Sequence, residues 1–97
     1  MPPKVTKKLP CGKGITISGS LKMKDFRKWV KAEQAGDLDV AYTYLARVVE
    51  SWDMVDEKGK ALDPKKPASF DELELVEYQQ VNQAVSEWLR AEVESKN

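Results

Sequence analysis

The apolar residues of this chain change their spacing as it proceeds. From Ile15 the sequence runs I-T-I-S-G-S-L-K-M, setting Ile15, Ile17, Leu21 and Met23 against polar neighbours. Period two with β-branched residues predicts a strand ending near Gly19. Upstream, Val5 and Leu9 can form an earlier short strand, with P-C-G-K-G bridging the two as a hairpin loop. Residues 1–14 also hold Pro2, Pro3 and Pro10 among several lysines, so they read either as a basic arm or as that first strand. Two strands alone are marginal and must lean on helices or on another subunit.

Helical spacing then takes over. Met23, Phe26, Trp29 and Val30 fall on one face, with lysines opposite. Gly36 suits the left-handed position that closes such a helix, and Asp37 is a ready N-cap for the next. Leu38, Ala41, Tyr42, Leu45, Val48, Val49 and Trp52 recur at spacings of three and four, the strongest periodic signal in the chain. Leu73, Val76, Val81, Ala84, Val85, Trp88 and Leu89 line a third helix, a stripe that Leu75 and Tyr78 broaden. The predicted helices cover 24–35, 38–52 and 69–94, with Leu45, Val48, Val85 and Trp88 at the centre of the core.

Between the last two helices, residues 53–68 read as a surface loop. Asp56-Glu57-Lys58-Gly59 is a tight turn in which glycine supplies a positive φ. Pro64 and Pro67 block helix, and Ser69 with Glu72 three residues on forms a capping box that restarts it. The predicted fold is α+β and mostly helical: a short N-terminal β-hairpin or strand, then three amphipathic helices. Residues 15–97 form one domain.

Composition narrows the function. A length of 97 residues suits a single modest core, and 41% hydrophobic with 33% charged residues describes an ordinary solvated surface. No apolar run approaches the about 18–20 residues a membrane span needs, and the basic start lacks the apolar stretch of a secretory signal. A single cysteine and no sign of secretion point to a reducing cytosol. Net charge is zero, yet residues 1–36 carry nine Lys or Arg against two acids (9 − 2 = +7) and residues 37–97 seven against fourteen (7 − 14 = −7). Such polarity can attract nucleic acid at one end, dock copies head to tail, recruit two differently charged partners, or cancel within the fold.

The residues for chemistry are missing. With no histidine, the usual general base and commonest metal ligand are gone. Cys11 lies in a P-C-G turn without a base or a second cysteine. Asp53, Asp56, Glu57 and Asp63 miss calcium-loop spacing, because placing Gly59 at the sixth position puts Lys65 at the twelfth. Gly12-Lys13-Gly14 does not continue into a phosphate loop. Lys24, Arg27, Lys28 and Lys31 form a basic face able to touch phosphate, but Phe26 and Trp29 lie on the apolar stripe, not between the lysines, so no stacking platform results. The chain does not read as an enzyme; neither cofactor nor metal is expected, and nucleic acid is the weaker expectation for a partner. Trp29 and Trp88 read as core residues. Trp52, beside the loop, reads either as core or as a partner anchor.

A short strand leading into a helix, the Gly36-Asp37 start of the next, Trp52 before the acidic Gly59 turn, and a final helix opening Ser69-Phe70-Asp71-Glu72-Leu73 together resemble one family. Over residues 15–95 the chain resembles the small tail assembly chaperones of long-tailed bacteriophages. That resemblance implies a small helical protein of the bacterial host's cytoplasm, absent from the finished virion, which binds the tape-measure protein, keeps it soluble and gathers tail-tube subunits around it. Homo-oligomers are compatible with it. No residue role transfers from the family; the candidate protein-binding residues are Trp52, Met54, Val55, Leu62 and Phe70, because the 53–68 segment is the least core-like ordered part of the chain. The alternatives are a regulatory adaptor binding DNA or a host protein through the basic N-terminal third, and a structural tail-completion or head-joining virion protein.

Overall fold

The computed structural model describes residues 4–94; residues 1–3 of the basic arm and 95–97 lie outside the described residues. Strands β1 (Val5–Lys8) and β2 (Gly14–Ile17) form the expected antiparallel hairpin. Its loop closes through hydrogen bonds from the Gly12 amide to the Leu9 carbonyl and from the Leu9 amide to the Lys13 carbonyl, both 2.8 Å. Gly12 sits at φ 93°, where only glycine is at ease. Residues 5–8 of the basic start are thus a strand.

Helix α1 (Met23–Ala35) ends as its sequence predicts. Gly36 adopts φ 72°, and the Asp37 amide reaches back to the Ala32 carbonyl at 2.9 Å, a closure that fixes the turn into α2. The Asp37 carboxylate then accepts the Val40 amide at 3.4 Å, capping α2 (Leu38–Val48).

Helix α2 stops at Val48, not at 52. Val49–Trp52 is instead a third strand, β3, antiparallel to β2 in a sheet ordered β1-β2-β3. It pairs Ile15 with Trp52, Thr16 with Ser51 and Ile17 with Val49, with an irregularity between Thr16 and Ile17. The spacing of Val48, Val49 and Trp52 continues the helical stripe, but two adjacent β-branched valines weaken helix. A two-stranded hairpin with buried Ile15 and Ile17 also needs a further strand. Tertiary pairing outweighs local periodicity here.

The predicted final helix is split. Pro67–Glu72 is a 3-10 helix with Pro67 at its first turn, and α3 (Leu75–Glu94) begins after a break at Leu73 and Glu74. Ser69 lies buried inside the 3-10 helix rather than capping anything; Lys66 holds the cap position without a side-chain hydrogen bond. The reach-back occurs one turn later, where the Glu77 carboxylate accepts the Glu74 amide at 2.9 Å.

Helices and sheet enclose one core. Ile15, Ile17, Leu45, Val48, Val49, Met54, Phe70, Val81 and Val85 are fully buried, and Trp88, at 8% exposure, is the least buried of the core apolar residues. The four residues predicted for its centre are all buried. Met23, Leu38, Leu75 and Val76, assigned by spacing to buried stripes, are exposed instead. Leu38 and Leu75 are the first residues of their helices, where no preceding turn holds them against the core. Among the described residues no helix is long and apolar enough to cross a membrane.

Candidate interaction surfaces

Residues 53–68 do not form a loose arm. Val55 bridges to Ala61, the Leu62 amide donates to the Met54 carbonyl at 3.0 Å, and Gly59 turns the chain at φ 81°. The Asp56 carboxylate receives the Lys58 and Lys60 amides, each at 2.9 Å, satisfying the turn from within. Extended backbone through Trp52-Asp53-Met54-Val55 puts Trp52 and Met54 on one side and Val55 on the other. The five candidate binding residues therefore separate. Met54 and Phe70 are buried at 1% exposure each, Trp52 and Leu62 are half-buried, and Val55 is exposed. They do not make one accessible patch.

The inward-facing members form an aromatic cluster. Trp52 meets Phe70 edge-on with centroids 5.0 Å apart; Phe70 stacks on Tyr42 at 5.5 Å, and Tyr42 meets Tyr78 edge-on at 5.5 Å. Burial, and then the Asp71 carboxylate as hydrogen-bond partner and charge, push the Tyr42 hydroxyl up to about 12. Burial and Glu33 push Tyr78 up as well. Glu33 accepts from the Tyr78 hydroxyl at 3.2 Å and from the Asn82 amide at 3.3 Å, which ties α1 to α3. These phenols stay protonated through the physiological range.

Part of the charge polarity cancels within the fold. Lys4 pairs with Glu50 at 2.8 Å, Lys13 with Glu77 at 3.0 Å and Lys7 with Glu87 at 3.8 Å, each joining the basic N-terminal segment to the acidic remainder. The α1 cations are not used this way. Lys24, Arg27, Lys28 and Lys31 are exposed, line a shallow depression of about 330 Å³, and have no carboxylate partner among the described residues. Phe26 and Trp29 pack 6.1 Å apart, with Trp29 buried on the core side, so the cations stand without aromatics between them.

A second depression of about 280 Å³ runs between α1 and α2, with Ala32, Ala35, Val40 and Tyr44 against Lys28 and Lys31. Leu75 and Val76 project from the first turn of α3 at 72% and 49% exposure. These last features were hidden in the sequence by helical spacing. Their placement beside Glu72, Glu74 and Glu77 was the available signal. Cys11 is exposed, its amide donating to the Gln80 side chain at 2.8 Å. Among the described residues no group of three or more potential ligands could hold a metal ion. Comparison with protein-family models, with curated proteins and with solved structures found no match.

Proposed function

We propose that this protein is a small, non-enzymatic tail assembly chaperone that holds a phage tape-measure protein soluble in the bacterial host's cytoplasm and leaves before the virion is complete. The observation that carries this reading is the order of features over residues 15–95: strand, helix, Gly36-Asp37 junction, Trp52, the acidic Gly59 turn and the final helical segment. The surface supports it. A holdase needs apolar side chains in reach of exposed client helices and enough charge to keep the complex dissolved. Met23, Leu38, Val40, Val55, Leu75 and Val76 supply the first, and a 33% charged composition the second. Co-expression with a phage tape-measure protein tests the reading. The client should move into the soluble fraction and co-purify without nucleic acid; a client that stays insoluble would reject it.

One observation favours a second reading, an adaptor that touches nucleic acid. Lys24, Arg27, Lys28 and Lys31 share one helix face and have no carboxylate partner among the described residues. That reading requires affinity for duplex DNA that falls steeply with salt and vanishes when the four are changed to glutamine.

A further inference from the structure

We propose that copies of this chain associate head to tail, the Leu75–Val76 corner of α3 in one copy seating in the α1–α2 groove of the next. The inference goes beyond the chaperone reading and does not depend on it.

Each half of the contact is left unfinished within a single chain. The groove has an apolar floor, in which Val40 is 37% exposed, and a rim of Lys28 and Lys31, neither paired with a carboxylate among the described residues. Lys24 and Arg27 extend the positive field along α1. Asp37 also borders the groove; its carboxylate caps α2 and offsets one of the two cations, so the lining stays positive by one charge. The corner is the complement: two adjacent apolar side chains, more exposed together than any neighbouring pair in the core stripe, preceded by the exposed carboxylates Glu72 and Glu74. Neither acid has a cationic partner among the described residues, whereas nearby Glu77 is already paired with Lys13. An apolar knob flanked by acids matches an apolar groove flanked by bases in both hydrophobicity and sign.

The two surfaces are different patches, so their union is heterologous. Repetition gives a ring if the rotation closes and an open helical array if it does not. A second copy is favoured over nucleic acid as the occupant because the groove floor is apolar and because the chain itself presents the complementary corner.

Sedimentation velocity on the full chain across a concentration series tests this without any client protein. At low salt the mass should rise with concentration past that of a dimer. It should fall back toward a monomer at about 0.5 M salt, where screening reaches within a few ångströms. Lys28→Glu with Lys31→Glu, and separately Glu72→Lys with Glu74→Lys, should each weaken association at least tenfold with an unchanged helical circular dichroism spectrum, since all four side chains are exposed. Mixing the two double variants should restore assembly, because one still carries the natural corner and the other the natural groove. A monomeric wild type at all concentrations, reversed variants that associate like wild type, or a mixture that stays monomeric would each overturn the proposal. Binding of duplex DNA by a wild type that remains monomeric would assign the basic face to nucleic acid instead.

Discussion

The indole N–H of Trp52 donates to the main-chain carbonyl of Leu62 at 2.8 Å, fastening the end of β3 to the returning arm of the Gly59 hairpin. The same ring lies edge-on against Phe70 of the 3-10 helix, so one side chain joins three segments separated in sequence. Trp52 is thus a structural tie as well as a surface residue. Trp52→Phe keeps most of the ring contact but strands the Leu62 carbonyl, and should cost about 1–2 kcal/mol in urea melts. A loss under about 0.5 kcal/mol would mean that water replaces the bond and that the tie is weak.

Leu45 has no exposed surface and stands on α2 among Ala41, Val48 and the sheet residues. Truncation there removes buried methyl groups and leaves a cavity that a close-packed core closes only in part. Leu45→Ala should therefore cost on the order of 2–5 kcal/mol, a large share of the stability of a domain this small. Thermal or urea unfolding measures it directly, and a near-neutral result would relocate the core.

The features legible in the sequence are those that local sterics decide. Gly36 and Gly59 take left-handed backbone conformations at the turns where glycine was needed, and Asp37 caps the helix it precedes. The basic face of α1 also follows directly from helical spacing. Strand β3 was not legible, because Leu45, Val48, Val49 and Trp52 satisfy a helical period, while the pairing that overrides it comes from Ile15 and Ile17, more than thirty residues earlier. Met54 and Phe70 were assigned to a binding surface because they lie in or beside the 53–68 segment, the least core-like part of the chain. The alternation of extended backbone that buries Met54 is invisible once the segment is read as a loop. Leu75 and Val76 fail in the opposite direction: spacing places them on a stripe, but they precede the part of α3 that meets the core.

The largely buried Glu77 carboxylate sits below its ordinary value of 4.5, held there chiefly by the Glu74 amide it accepts and then by Lys13. A carboxyl with a depressed folded value contributes stability above 4.5, and that contribution fades as pH falls through the lower folded value. Glu77→Gln keeps an oxygen that can accept the Glu74 amide but removes the charge and the Lys13 pair, and should cost about 0.5–1 kcal/mol at neutral pH. Urea melts taken stepwise below pH 4.5 should show wild type and variant converging. A gap that stays constant with acid would assign the effect to packing instead.

Val55 is the one candidate binding residue whose side chain is exposed, at 38%, on the outer side of the Gly59 hairpin and facing away from Trp52 and Met54. If the chaperone reading holds through this hairpin, client affinity depends on Val55 while the fold does not. Val55→Asp places a charge where an apolar client surface would seat, next to the existing carboxylates Asp53 and Asp56. Retention of the tape-measure protein in a pull-down titration should weaken by at least about 1 kcal/mol, roughly fivefold. The circular dichroism spectrum and unfolding midpoint should stay near wild type, since surface changes usually lie within about 0.5 kcal/mol. Lys24→Gln with Arg27→Gln should leave client retention unchanged in the same assay. If retention instead follows Lys24 and Arg27 and not Val55, the client is held on α1 and the hairpin is only part of the scaffold.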